Sequence, residues 1–368
     1  MADVQERVQA TIDQLVESGA ERGIQVSVFH DGSQIVDAVA GAADPATGRP
    51  VDRSTPFYNY SIGKGATATI AHMQVEKGLF GYDTRVVELW PEFGAHGKDG
   101  VTIRHVLTHS AGVPGIPADT TIEDVCDWGH MCAAIADAEL WWEPGTQVGY
   151  HAYTFGYLVG EIVRRATGRR ISQLLADEVA GPLGVADEIY FGMPVAQQGR
   201  LAVLEDAPMP EGAGDWELPP DSPMAKAGPL ITWPNAAFGN RQDTLSADIP
   251  AGGKTSARAI ARMYAALLGD VDGVRLIPEA RLQEATAVAA GGVDQVFGNP
   301  SSWCLGWSVG RLGEEPGTAS SSFGMGGMGG SFAYGDKAQR LSMAVTKNVL
   351  SNDFETSSRL ITLVNKAV

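Results

Sequence analysis

Strand-forming sequence lies at both ends of this chain, and helix-forming sequence lies between them. The early run "GIQVSVFHDGSQIVDAVAG" reads as a β-hairpin, with β-rich segments 24–30 and 34–40 flanking the turn "HDGS". From 61 to about 200 helical patterns dominate. In "FGYLVGEIVRRATG", Phe155, Leu158, Val159, Ile162 and Ala166 recur at helical spacing and Gly168 supplies the stop. Residues 207–250 are rich in Pro, Gly and Asp and predict a long surface loop region, the kind that often forms a lid or a pocket wall. A helix follows at "SARAIARMYAALLG". From 303 the pattern turns to strands, "WCLGWSVGRL" and "SFAYGDKAQRLSMAVTKN", and a helix "ETSSRLITLVNKAV" closes the chain. One sheet built from both termini, with a helical lobe inserted, satisfies this order and brings the chain ends together. The expected class is α+β. The chain is expected to form one domain over 1–368, with an α/β lobe from 1–75 and 255–368 and a helical lobe over 76–254.

Composition narrows the function. The chain has 368 residues, 44% of them hydrophobic and 19% charged, enough for a large core. A net charge of −17 argues against nucleic acid or an anionic membrane as the main partner. No run reaches the length of a membrane span, and the charged start "MADVQERVQATIDQLVESGAERG" lacks the plan of a signal peptide. Cys126, Cys132 and Cys304 read as free thiols of a reducing cytoplasm. Oligomeric state is not legible.

The chemistry is suggested by "YNYSIGKGATATIAHM", where Ser61 and Lys64 are three apart on a helical pattern. Residues i and i+3 share a helix face about 5–6 Å apart. A lysine amine there can take a serine proton, provided that burial or a positive neighbour lowers its pKa. Gly63 and Gly65 each cost roughly 1 kcal/mol in a helix interior; what they offer is clearance around the lysine and close approach of another element. Alone, S-x-x-K is weak, and a surface lysine after a capping serine is the commoner explanation.

Three further segments follow in order: "VTIRHVLTHSAGVPGI" at 101–116, "WWEPGTQVGYHAYTFGYLVGEIVRRATG" at 141–168 and "FGMGGMGGSFAYGD" at 323–336. Together with the serine–lysine element they resemble the serine β-lactamase and penicillin-binding superfamily. The likeness is greatest to its esterase branch, the class C-like family VIII carboxylesterases. It runs over nearly the whole chain.

The resemblance implies a class C β-lactamase-like fold, an antiparallel sheet flanked by terminal helices, and a site between the lobes. It implies Ser61 as nucleophile, with Lys64 and Tyr150 as proton shuttles. Read alone, Tyr150 is more often a buried tyrosine with a bonded hydroxyl, and the resemblance reverses that reading. Met325, Gly326 and Gly327 take the place of the third element, so the N–H groups of Ser61 and Met328 would form the oxyanion hole; the self-similar "GMGGMGG" leaves the register open by a residue or two. Two departures bear on substrate. Ala152 stands where asparagine is usual, and Met325 where lysine, histidine or tryptophan is usual. Both predict a more apolar pocket, less suited to β-lactams. His151 either tunes Tyr150 or packs. Ala152, Met325, Gly326, Gly327 and His151 are the expected substrate-binding residues.

Other features carry less. "Lys254-Thr255-Ser256" looks like the third element but opens a helix instead of lying on a strand, and Lys254 either approaches substrate or serves the fold. "DIPAGGKTS" fails the phosphate-loop pattern at Asp248. His105 and His109 are spaced to share a helix face, without a third metal ligand in view. Trp141 and Trp142 suit an acyl-pocket wall or the core. The expectation is a serine hydrolase acting on an ester or related acyl substrate, with no metal, cofactor, nucleic acid or membrane partner. Acyl transfer from the same acyl-enzyme is the alternative. β-Lactam turnover and a non-catalytic binding protein are lesser ones.

Overall fold

A computed structural model describes residues 2–208, 218–314, 318–351 and 353–368. The hairpin forms at the head of the chain from Gly23–His30 and Ser33–Asp44. Asp31 and Gly32 both take positive φ, 50° and 76°. These are the dihedrals of the two-residue turn whose twist matches that of the paired strands.

Gly23–His30 pairs with its hairpin partner on one edge and with Leu341–Lys347 on the other, antiparallel, with Ile24 opposite Lys347. Strands from the two ends of the chain therefore lie side by side, third and fourth in an antiparallel sheet of nine strands among the described residues. From Leu341–Lys347 the sheet continues through Phe332–Asp336, Ser322–Gly326, Ser308–Val309, Pro300–Trp303 and Ala290–Val293. Strand alternation decides the two faces. Ile24, Val26 and Val28 pack with Met343 and Val345 beneath the terminal helices Ala2–Glu17 and Glu355–Asn365, which contribute Val4, Val8, Ile12, Leu360, Ile361 and Val364. The opposite face is polar where it meets helix Ala257–Leu268. There Gln25 accepts the Ala257 N–H at 2.9 Å, and Ser342 donates to the Ala261 carbonyl at 2.7 Å.

Two details differ from the sequence reading. "WCLGWSVGRL" is not one strand: the chain turns at Cys304–Trp307, with Gly306 at φ 92°, and strands lie on either side. The edge strands Ala290–Val293 and Pro300–Trp303 carry glycine, proline and serine, so propensity concealed them; cross-strand pairing forms them. Lys254–Thr255 is also strand, paired with both Phe57–Tyr58 and Ile189–Tyr190, and Ser256 then caps the next helix.

Helices fill most of the span between. Thr154–Thr167 buries Phe155, Leu158, Val159 and Ile162 and ends at left-handed Gly168. Helix Gly63–Glu76 is buried over most of its length. A Cβ at Gly63 would stand 2.5 Å from the Gly252 carbonyl carbon and 2.8 Å from Gly253 Cα. Gly253 N–H in turn donates to the Tyr60 carbonyl at 2.9 Å. Backbone thus packs on backbone, which only glycine permits. Gly63→Ala should gain roughly 1 kcal/mol in helix propensity and lose about 1–3 kcal/mol or more to the clash, so the net effect is a loss. Urea unfolding checks this, and a more stable variant would refute the packing argument.

Candidate active site

Ser61 sits in a single 3-10 turn, Tyr60–Ile62, that runs straight into helix Gly63–Glu76. Tyr60, just before it, holds φ at 48°, a costly conformation for a bulky residue. The Tyr60 hydroxyl donates to the Asn235 carbonyl at 2.5 Å. Lys64 lies in the first turn of the helix and is 1% exposed. Its Nζ is 3.1 Å from Ser61 Oγ and 3.3 Å from the Ala251 carbonyl oxygen. No carboxylate pairs with it among the described residues. Burial in that carbonyl-lined slot pushes the amine down to about 7. At neutral pH a large share of the lysine is therefore the free base.

Tyr150 completes the group. Lys64 Nζ lies 4.8 Å from the centre of its ring. Burial pushes the phenol above its ordinary range, and a hydrogen bond with Ser61 offsets part of that rise. The ring is held from behind by His109 (4.9 Å between centroids), Trp303 (5.8 Å, stacked) and Phe297 (5.6 Å). His109 is fully buried, and burial pushes its imidazole well below the usual value. Its Nδ1 accepts the His151 N–H at 3.0 Å, so the neutral ring carries its proton on Nε2. Sequence spacing had aligned His109 with His105 on a helix face. In the structure helix Ile103–Leu107 ends before His109, which stands at φ 56°. No cluster of possible metal ligands occurs among the described residues.

A cavity of about 390 Å³ opens over Ser61. Lys64, Tyr150, Ala152, Gly326, Gly327 and Met328 all line it. Aromatic side chains contribute to its walls: Tyr58, Tyr60, Tyr153, Trp233, Phe238, Phe297 and Phe354. Met224, Ala227, Gly228 and Thr232 come from the loop region expected over 207–250. That region does wall the cavity from 224 onward; its part at 209–217 lies outside the described residues. Tyr153 donates its hydroxyl to the Thr232 carbonyl, so two tyrosines beside Ser61 hold this wall by its backbone. Lys64 and Asp353 are the charged residues among those lining it.

The N–H groups of Ser61 and Met328 meet no protein acceptor among the described residues. A glycine at 327 allows this edge to approach the serine, because a Cβ there would collide with the Asn59 carbonyl oxygen.

Two expectations need correction, those for Met325 and His151, and two open alternatives, for Lys254 and for the tryptophan pair, are decided against the cavity. Met325 does not reach the cavity: on strand Ser322–Gly326 it alternates away, is 2% exposed and packs in the core. His151 does not reach it either. Its ring accepts the Val113 N–H at 3.2 Å and donates to the Gly149 carbonyl at 2.7 Å, which uses both nitrogens. Lys254 turns away beneath the Tyr58 ring and donates to the carbonyls of Phe191 and Thr244. Trp142 is buried on His151, and Trp141 lies outside the cavity wall. The sequence reading also missed His109, Trp303 and Phe297 as supports of Tyr150. His109 and Phe297 sit in turns and Trp303 ends a short edge strand, so none carries a periodic signal and only their convergence reveals them.

A family model described as beta-lactamase matches residues 8–366. The chain belongs to the beta-lactamase family. Among relatives of this family, the esterase/beta-lactamase LipL of Mycobacterium tuberculosis is 31% identical over 344 residues, which is 89% of this chain and 77% of that protein. A family VIII carboxylesterase structure superposes with a TM-score of 0.89 at 30% identity, covering 99% of this chain and 98% of that one. A penicillin-binding protein homologue from Caulobacter crescentus gives 0.87 at 31% identity, over 100% and 98%. This beta-lactamase family chain is thus a serine hydrolase with the class C-like α+β fold. No helix among its described residues is long and apolar enough to cross a membrane.

Proposed function

We propose that this chain hydrolyses an uncharged ester with an apolar acyl group through an acyl-enzyme on Ser61. The observation that carries the reading is the contact, at 3.1 Å, of Ser61 Oγ with a buried Lys64 amine that burial pushes down to about 7. The amine takes the hydroxyl proton as Oγ bonds to the ester carbonyl carbon. The carbonyl oxygen becomes an oxyanion and accepts the N–H groups of Ser61 and Met328, the charge-stabilising step that usually contributes most. The tetrahedral centre collapses, its bond to the alcohol oxygen breaks, and that oxygen leaves with a proton. Tyr150, whose phenol stays protonated at neutral pH, is the relay: it gives its proton to the leaving oxygen while Lys64 restores it. Water then attacks the acyl carbon by the reverse path and frees Ser61 and the acid.

The aromatic and aliphatic side chains of the wall favour an apolar acyl group. Among the lining residues Lys64 is the one cation, and it is committed to Ser61, so none is left to pair with a substrate carboxylate. The same cavity supports a second reading, acyl transfer, because its volume of about 390 Å³ can seat an alcohol or amine acceptor beside an acyl group. The cytoplasmic setting belongs to this proposal as well, supported by three free thiols.

A fluorophosphonate followed by intact-mass measurement tests the core of the reading. One adduct per chain is expected, lost in Ser61→Ala. Equal labelling of that variant would sink the assignment of Ser61. Product analysis of neutral esters, with and without an added amine, then separates hydrolysis from transfer.

A further inference from the structure

Lys347 and Glu21 form an ion pair buried behind the proposed oxyanion loop. Lys347 ends the strand Leu341–Lys347, and its Nζ is 2.8 Å from Glu21 Oε1. The side chains are 3% and 1% exposed. Such a pair is weak evidence for stability, because desolvation opposes the attraction and apolar replacements are often neutral. Its position suggests another use.

Lys347 Nζ also donates to Ser351 Oγ at 3.1 Å. Having accepted that hydrogen bond, Ser351 Oγ must send its own hydrogen to a carbonyl: Gly329 O lies at 3.4 Å and Asp353 O at 3.1 Å. The Ser351 N–H also donates to Gly329 O, at 3.3 Å. Lys347 N–H reaches Ser331 Oγ at 3.3 Å, on the far side of the same loop. Gly329 and Gly330 stand at φ 95° and 93°, and a Cβ at Gly330 would meet Ser351 Oγ at 2.8 Å and Lys347 Cε at 3.0 Å. The turn is therefore seated directly on the ion pair. Met328, immediately before it, has a side chain 43% exposed, so side-chain packing does little to fix its N–H.

We infer that Lys347, held by Glu21, is a positioning residue that acts through Ser351 and the Gly329 carbonyl to aim the Met328 N–H at the oxyanion. The inference rests on the proposed acyl-enzyme at Ser61. Glu21 follows the first helix, so the pair also ties the oxyanion loop to the N-terminal segment. Thr356 donates to the same Glu21 oxygen at 2.7 Å and secures the acid from the other end of the chain.

The test compares Ser351→Ala with the double variant Glu21→Gln, Lys347→Met, which removes the pair without leaving a lone buried charge. Both are expected to lower kcat roughly 10- to 100-fold, part of the loss of a full oxyanion donor, with KM changed less than about threefold and wild-type melting behaviour nearly kept. A purely structural pair would move the melting temperature and leave kcat alone. Wild-type kcat in a folded double variant overturns the inference. If the double variant does not fold, wild-type kcat in Ser351→Ala overturns it equally. Fluorophosphonate labelling of the wild type keeps the two levels apart: a failed clamp leaves the Ser61 adduct in place, whereas a failed Ser61 assignment removes it.

Discussion

Lys64→Met is expected to lower kcat/KM by roughly 10²- to 10⁴-fold, the range of a lost general base, and to raise the melting temperature. The two effects have one origin. The folded chain holds the amine at about 7 against an ordinary 10.5, with burial as the cause. Between those values the unfolded chain binds a proton that the folded chain does not, so stability rises with pH across that window. Above about 10 the penalty is absent, and below about 7 it is fully developed. Its full size is at most roughly 5 kcal/mol at 1.36 kcal/mol per pH unit. Methionine fills similar volume without charge, but it leaves the Ala251 carbonyl unpaired, which subtracts about 1–3 kcal/mol. A gain of a few degrees at pH 7 follows, shrinking as pH approaches 10. In the wild type, kcat/KM should fall about tenfold per pH unit below the amine's value, because the protonated form cannot accept the serine proton. Thermal melts and pH–rate profiles of both proteins check this. A variant that keeps more than about a tenth of the activity would show that Lys64 is not the base.

Gly327→Ala is expected to lower kcat by roughly 10²- to 10³-fold, as for loss of one oxyanion donor. The added Cβ would strike the Asn59 carbonyl oxygen and crowd Asn59 C at 3.2 Å and Ile62 Cγ1 at 3.4 Å. Asn59 leads into Tyr60 and Ser61, and its own side chain is fixed by Thr255 Oγ1 at 2.8 Å and the Thr255 carbonyl at 3.0 Å. The strand end must therefore yield, and the two free N–H groups move apart. KM should change little, because the apolar wall is untouched. Steady-state kinetics decide it: kcat within threefold of wild type would mean that the edge at 327–328 does not stabilise the oxyanion.

How much could be read in advance depended on range. The hairpin was legible because its alternation and its Asp-Gly turn are local. Helix Thr154–Thr167 was legible because five apolar positions and a stop glycine lie within one stretch. The candidate nucleophile and lysine were legible as a pair because i and i+3 share a helix face without any tertiary help. Met325 and Met328 show the limit. They are the same residue type in a self-similar run, yet one is in the core and the other lines the cavity, 2% against 43% exposed. Strand register and a turn separate them, and nothing in "GMGGMGG" specifies either. His151 failed for a related reason. Adjacency to Tyr150 implied a shared site, but its ring is occupied by Val113 and Gly149, partners set by packing.

Two of the buried lysines, Lys64 and Lys254, mark the boundary most clearly. Burial lowers both amines to about 7. Lys64 faces Ser61, while Lys254 faces two backbone carbonyls and a tyrosine ring. The sequence by itself determined the hairpin, the helical pattern that carries Lys64, the i, i+3 placement of a serine and a lysine, and the glycines that permit close approach. Only the tertiary structure decided what that lysine is. Its pKa depends on how completely water is removed, and water is removed by the 250–253 backbone, which packs on Gly63 from far along the chain. Desolvation is a property of the assembled surroundings, so no local pattern of residues can encode it.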